Sequence, residues 1–229
     1  MLLAALLDLG DARQMSQALL RALRLPPRTL RLRRVAVRSL AGLQCRVTTR
    51  GPRAHSLLPW IACVTRSRLP ARAKRRARAI LRRLAAAEHR VHHGTAHAHR
   101  VHELGRVDTL IAVAGCAFAL EQLRLRRVFV GPIPLGHGTI RAEEGWLPNP
   151  GPAVLELLRG WPVVMTRRPD ELVTPTAAAI LTTLAQPLPT TRRLVVTRIG
   201  CGVGTKRIPG VPGVLRACLS GGGARRGKA

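Results

Sequence analysis

Aromatic side chains are almost missing from this chain. Tyrosine is absent, and two Phe and three Trp bring the aromatic share to only 2%. A core must therefore rest on Leu, Val, Ile and Ala, and a platform that stacks single-stranded bases on aromatic faces has little to work with. Acidic residues are scarce as well, 11 Asp and Glu against 39 Lys and Arg. Lysine is confined to Lys74, Lys206 and Lys228, so nearly all the cations are arginine. Cys45, Cys63, Cys116, Cys201 and Cys218 contain no C-x-x-C pair and are odd in number. That pattern disfavours a zinc ribbon or a disulfide framework and suits a reducing compartment. The longest apolar run, Leu110 to Leu120, is too short to span a bilayer. The apolar N-terminus has no basic leader, and Asp8 and Asp11 follow at once, which makes a poor signal peptide. A cytoplasmic protein without membrane contact is the expectation. There is no G-x-S-x-G elbow, and the adjacent pairs Glu143-Glu144 and Asp170-Glu171 are not spaced to converge on one substrate bond.

What is present in excess is positive charge, +28 over 229 residues. One source of such a charge is a polyanion partner, either nucleic acid or an anionic surface. Another is a GC-rich coding sequence, because Arg, Ala, Gly and Pro abound together and the cations are spread along the chain. The second accounts for most of the excess.

Hydrophobic periodicity organises the rest. Residues 2–24 read as two short helices broken at Gly10, with Asp11 capping the second. Residues 29–38 and 43–49 alternate as strands, and 57–67 suits a helix. Residues 71–90 form the clearest helix, with Ala73, Ala77, Ile80, Leu81 and Leu84 on one face and arginines largely elsewhere. A largely apolar helix is expected over 106–123 and a strand over 126–130. Irregular chain follows around Pro132 to Gly138, with a short helix at 152–160. Thr174-Pro175-Thr176 opens another helix, and a strand at 193–199 leads into a glycine loop at Gly200, Gly202 and Gly204. The expected fold is mixed α/β (α+β), a single compact domain over 1–219 with a central sheet and several helices. A disordered Gly/Arg-rich tail is expected over 220–229.

Six of the eight histidines fall between His89 and His102, namely His89, His92, His93, His97, His99 and His102. On a helix, His89, His92 and His93 share a face, and in extended chain His97 and His99 point the same way. Glu103 and Asp108 add carboxylates. Imidazole with carboxylate suits borderline divalent ions, among which nickel ranks high in affinity. A polar surface loop is the plain alternative. Gly202, Gly204, Thr205 and Lys206 could bring backbone N–H groups and a counter-charge to a phosphate, although the Walker spacing is missing. The helix start at Thr174 and Thr176 is a second candidate anion site, and capping alone explains it equally well.

Several stretches, in order, resemble the pyridinium-3,5-bisthiocarboxylic acid mononucleotide nickel insertion proteins, the LarC type. They are residues 1–10, Leu69-Pro70, Ala87-Glu88, Val91-His92, His102-Glu103-Leu104-Gly105 and Asp108-Thr109. Pro132 to Gly136, Leu147 to Pro150, Leu155 to Leu158, Glu171 to Thr176 and Gly200 to Thr205 continue the series. The resemblance implies Ni2+ bound by His92, His99, His102, Glu103 and Asp108. It also implies a chelatase of the lyase class that inserts the ion into a pyridinium dithiocarboxylate mononucleotide, yielding a nickel-pincer cofactor. The reaction implied consumes CTP with Mg2+ or Mn2+ on a C-terminal half, expected here as a separately encoded partner. Departures from the family pattern fall at Arg100, Ala112, Glu144, Ala177 and Arg207, and Met1 stands where the family already has a strand behind it. Two alternatives stay open, a basic nucleic-acid-binding protein and an inactive truncated member of the family.

Overall fold

A computed structural model of the chain describes residues 1–48, 56–92, 104–142, 145–191, 193–210 and 212–221. Among these, α1 (Leu2–Asp8) and α2 (Ala12–Leu23) precede the hairpin of β1 (Leu30–Val37) and β2 (Leu40–Val47). Next come α3 (Leu58–Arg66), α4 (Ala71–Val91) and α5 (Val107–Gln122). Short strands β3 (Phe129–Val130), β4 (Ile133–Leu135), β5 (Thr139–Ala142) and β6 (Gly145–Pro148) lead to α6 (Pro152–Leu157). The described chain closes with β7 (Val163–Met165), α7 (Pro175–Leu184), β8 (Gln186–Pro187), β9 (Val195–Val203) and β10 (Val214–Gly221).

The four-stranded sheet runs β1-β2-β9-β10, with antiparallel hairpins at both sides and a parallel junction where Leu43 and Gln44 meet Gly202 and Val203. Three two-stranded ribbons, β3-β8, β4-β7 and β5-β6, stand apart from it. The mixed α/β expectation holds.

Three strand expectations change. β9 does not stop at residue 199 but carries Gly200 and Gly202 inside the strand, so the expected glycine loop begins only at Gly204. The physical reason is α1. A Cβ on Gly200 would lie 2.2 Å from the Ala5 carbonyl oxygen, and one on Gly202 would lie 2.2 Å from that of Met1. Glycine lets the helix backbone rest directly on the strand. Asp8 locks the contact: its carboxylate accepts the Cys201 N–H at 2.8 Å and pairs with Arg34 on β1 at 2.6 Å. The second change is at the tail. Ser220 and Gly221 pair with Val196 and Val195 in β10, and the rest of the expected disordered tail lies outside the described residues. The strand expected over 126–130 shrinks to Phe129–Val130, because Arg126 and Arg127 are exposed.

α5 is buried around its whole circumference from Val107 to Leu120, apart from half-buried Asp108 and Ala112. A helix apolar on every side belongs in the centre of a core. α4 packs against it through Ala73, Ala77, Ile80, Leu81, Leu84 and Ala87. The pair is antiparallel. Arg76, near the start of α4, pairs with Glu121 at the end of α5 at 3.5 Å and donates to the Leu125 carbonyl at 3.2 Å. The end of α4 and the start of α5 therefore share one end of the molecule.

Two thiols sit in this core. Burial pushes the Cys116 thiol up to about 12 and that of Cys45 to about 11, from an ordinary 9.0. Both are neutral thiols at physiological pH.

Gly202→Ala should lower stability by about 1–3 kcal/mol through overpacking, seen as a lower urea midpoint. Gly131→Ala, whose Cβ would meet nothing within 4 Å, should leave the midpoint within about 0.5 kcal/mol. Equal midpoints for the two variants would refute the seating of α1 on β9. The raised thiols predict a direction with pH. Unfolded chains ionise cysteine near 9.0 but folded Cys116 does so only near about 12. Stability is thus unaffected by this group below pH 9 and falls as pH rises from there towards 12. Ellman's reagent at about pH 8 should label exposed Cys218 in the native protein and reach Cys116 only on unfolding, as mapped by mass spectrometry.

Candidate functional site

α4 ends and α5 begins at the same end of the hairpin, and the chain between them carries most of the histidines. His92 is the C-cap residue of α4, with its N–H on the Glu88 carbonyl at 3.0 Å. Its Nε2 lies 3.6 Å from the Glu88 carboxylate, an i, i+4 pair in which both side chains are largely shielded. Asp108 stands in the first turn of α5, where the helix dipole favours a carboxylate. One of its oxygens accepts the Thr109 N–H at 2.9 Å, and the other faces Arg106 Nε at 3.8 Å. Leu104 is buried and anchors the chain as it returns to α5.

His92 and Asp108 thus stand on rigid helix ends that flank the histidine segment. His93, His97, His99, Arg100, His102 and Glu103 lie outside the described residues, as does Glu144. His89 is exposed on the outer face of α4. Among the described residues no group of three or more His, Cys, Asp or Glu stands together as a metal site. Glu88 is the carboxylate beside His92 that sequence reading passes over. Its spacing of four from His92 is the available signal.

Thr174 caps α7 as expected, accepting the Ala177 N–H at 3.3 Å, so its hydroxyl already has a structural task. Thr176 is half-buried in the first turn behind it. α7 packs against α4, α5 and α6, and the N–H of Gln186 just beyond its end binds the Val128 carbonyl on the chain leaving α5. Its Thr174 end is thereby directed towards the end of the hairpin that carries His92 and Asp108. Gly202 is taken up by α1, whereas Gly204, Thr205, Lys206 and Arg207 form the turn between β9 and β10. Gln44 Nε2 donates to the Gly204 carbonyl at 2.9 Å and steadies that turn. Its far side, at Gly210, rests on the Arg168 guanidinium, in the chain that leads to Thr174.

Three segments distant in sequence converge beside this rim. The His137 N–H binds the Arg168 carbonyl at 2.7 Å. Buried Asn149 donates to the carbonyls of His137 at 3.1 Å and Pro169 at 3.4 Å. A Cβ on Gly136 would lie 2.0 Å from the Asp170 carbonyl oxygen, so the strings around Gly136, Asn149 and Glu171 are cut to fit one another.

Against the last turns of α4 lies a groove of about 390 Å³, lined by Arg90, Val91, Pro152, Leu155, Glu156 and Arg159. It continues past Arg83 into a second recess of about 280 Å³. Glu156 pairs with Arg90 and, at 2.8 Å, with Arg159. Those two guanidinium groups, Arg159 foremost, hold its carboxyl below the usual carboxylate range, so it is ionised at neutral pH. Sequence reading misses this groove because Arg90 and Glu156 stand 66 residues apart, and no local spacing joins them.

Comparison with known proteins bears on the chain as a whole. A family model described as nickel insertion protein matches residues 1–229. A protein of Pelobacter propionicus, provisionally named a nickel insertion protein, is 38% identical over 224 residues, covering 96% of this chain and 57% of the relative. A pyridinium-3,5-bisthiocarboxylic acid mononucleotide nickel insertion protein of Desulfitobacterium hafniense is 35% identical over 217 residues, 94% of this chain and 54% of the relative. One of the same name from Geobacillus kaustophilus is 39% identical over 162 residues, 69% of this chain and 39% of the relative. The match spans 57%, 54% and 39% of the length of these curated relatives. No solved structure matches.

Proposed function

The chain belongs to the nickel insertion protein family, and from that membership we propose that it binds Ni2+ and delivers it to a pyridinium bisthiocarboxylic acid mononucleotide. The observation that carries the reading is the placement of His92 and Asp108 on opposing helix ends, either side of the segment with His99, His102 and Glu103. In this reading those five residues hold the ion, and Glu88 orients the His92 imidazole.

The chemistry suits a transfer. Nickel must be held and then released to the sulfurs of the substrate. Imidazole and carboxylate are harder donors than thiolate and yield the ion to sulfur, whereas a thiolate site would compete for it. The core thiols of Cys45 and Cys116 stay protonated and do not take part. Thr174, Thr176, Gly204, Thr205 and Lys206 form the substrate-facing rim in this proposal, with Gly202 holding the base of the turn in place. Among the described residues no helix is long and apolar enough to cross a membrane. We assign the activity to the cytoplasm.

The relatives' greater length motivates a second element of the proposal. CTP, with Mg2+ or Mn2+, would be used by the part of the relatives' length that residues 1–229 do not span. Nickel insertion by the purified chain alone, with CTP present, would contradict that element without touching the metal site.

Nickel titration tests the central reading. The chain should bind about one Ni2+ with Kd well below about 1 mM, a weak-affinity limit. His92→Ala together with His102→Ala should weaken binding at least tenfold, as for loss of direct ligands. Glu88→Gln should weaken it by less than the double variant does, because it removes an orienting carboxylate and not a ligand. Undiminished affinity in the double variant would rule out this site.

A further inference from the structure

The groove between α4 and α6 has a composition that a structural brace does not need. One carboxylate and one guanidinium suffice to pin two helices. Here Glu156 sits among Arg83, Arg90 and Arg159, so the recess keeps two positive charges in excess. Glu156 occupies one nitrogen of Arg90 and one of Arg159. Each guanidinium carries five N–H donors in a fixed fork, so both keep donors for a further anion. Their side chains are 68% and 79% exposed, whereas that of Glu156 is 12% exposed. The carboxylate is thus the half-buried anchor, and the guanidinium groups stay open to solvent. Arg83 reaches the Leu157 carbonyl from the neighbouring turn at 3.5 Å and supplies the third charge.

The remaining wall is apolar. Val91, Pro152 and Leu155 line it, and Leu155 is 51% exposed. The space, about 390 Å³, falls within the roughly 300–1,000 Å³ common to small-ligand sites. An apolar wall beside paired guanidinium groups suits a ring that carries a phosphate. A phosphate monoester bears a charge of about −2 at neutral pH and takes bidentate bonds from arginine. Val91 adjoins His92, so a ring on this wall would lie at the start of the histidine segment.

We infer that this groove is the phosphate subsite for the mononucleotide, with Arg90 and Arg159 as the phosphate ligands and Glu156 as the residue that positions them. The inference rests on the nickel-insertion reading for the identity of the ligand, and on the groove for its place. It sets the phosphate apart from the β9–β10 turn, where Gly202 is filled by α1.

Calorimetric titration of the whole chain with nicotinic acid mononucleotide, a pyridinium mononucleotide without sulfur, tests it. Arg159→Gln should weaken binding at least tenfold. Arg159→Lys should recover part of the loss, since it restores the charge without the fork. Arg75→Gln, on the exposed face of the same helix as Arg90, should stay within twofold of the parent. Nicotinic acid riboside, which lacks the phosphate, should not distinguish Arg159→Gln from the parent. No binding by the parent chain, equal binding by Arg159→Gln, or an equal loss in Arg75→Gln would each overturn the assignment. So would CTP binding that depends on Arg159 while the mononucleotide does not bind. Nickel titration of the same samples separates the two readings. A chain that binds nickel but ignores Arg159 rejects the groove alone. One that binds the mononucleotide through Arg159 but no nickel rejects the metal reading alone.

Discussion

Helix α1 lies on β9 at a distance that only glycine allows, and the rest of the architecture hangs from that contact. Gly200 and Gly202 offer bare backbone to Met1 and Ala5, and Asp8 ties the end of the helix to the Cys201 N–H and to Arg34. One carboxylate thereby joins the first helix, the first strand and the penultimate strand. The β1–β2 and β9–β10 hairpins become one sheet although they stand near opposite ends of the sequence. On its other side α1 presses Leu3 against Gly115, at the centre of α5. The buried helix is positioned by the same element that closes the sheet.

That stacking has a functional consequence. α5 is encased, so it cannot tilt without opening the core, and α4 is bound along it by a continuous apolar face. The ends of the two helices are held like posts, and His92 and Asp108 stand on them. Side chains borne by rigid elements are held in a defined geometry. α6, α7 and the interlocked segments around Asn149 gather at the same end. His92, Asp108 and the basic groove beside Arg90 thus lie at one end of the α4–α5 pair.

Legibility in the sequence follows the range of the forces involved. The period of α4, the Asp11 and Thr174 caps and the apolar run of α5 are local, and each is readable from neighbouring residues. The histidine cluster is visible as composition, and the ordered family-like strings make nickel the expected metal. The glycines at 200 and 202 read as a loop and are strand. Glycine after a strand usually signals a turn, and nothing local reveals that a helix from the opposite end of the chain occupies the missing side-chain space. Ser220 and Gly221 read as tail because the partner that makes them a strand lies more than twenty residues back. Glu156 and Arg90 are 66 residues apart, so no spacing rule joins them.

The sequence by itself determined which segments are helical, which residues carry metal-seeking chemistry and, through the ordered motifs, the family. Those properties are set by side-chain type and short-range periodicity. Tertiary structure alone decided that α4 and α5 return to the same end, that Glu88 and His92 face one another there, and that Arg90 and Arg159 share one carboxylate beside them. Such juxtapositions arise from packing an encased helix against its neighbours, a many-body condition that no single stretch of chain encodes.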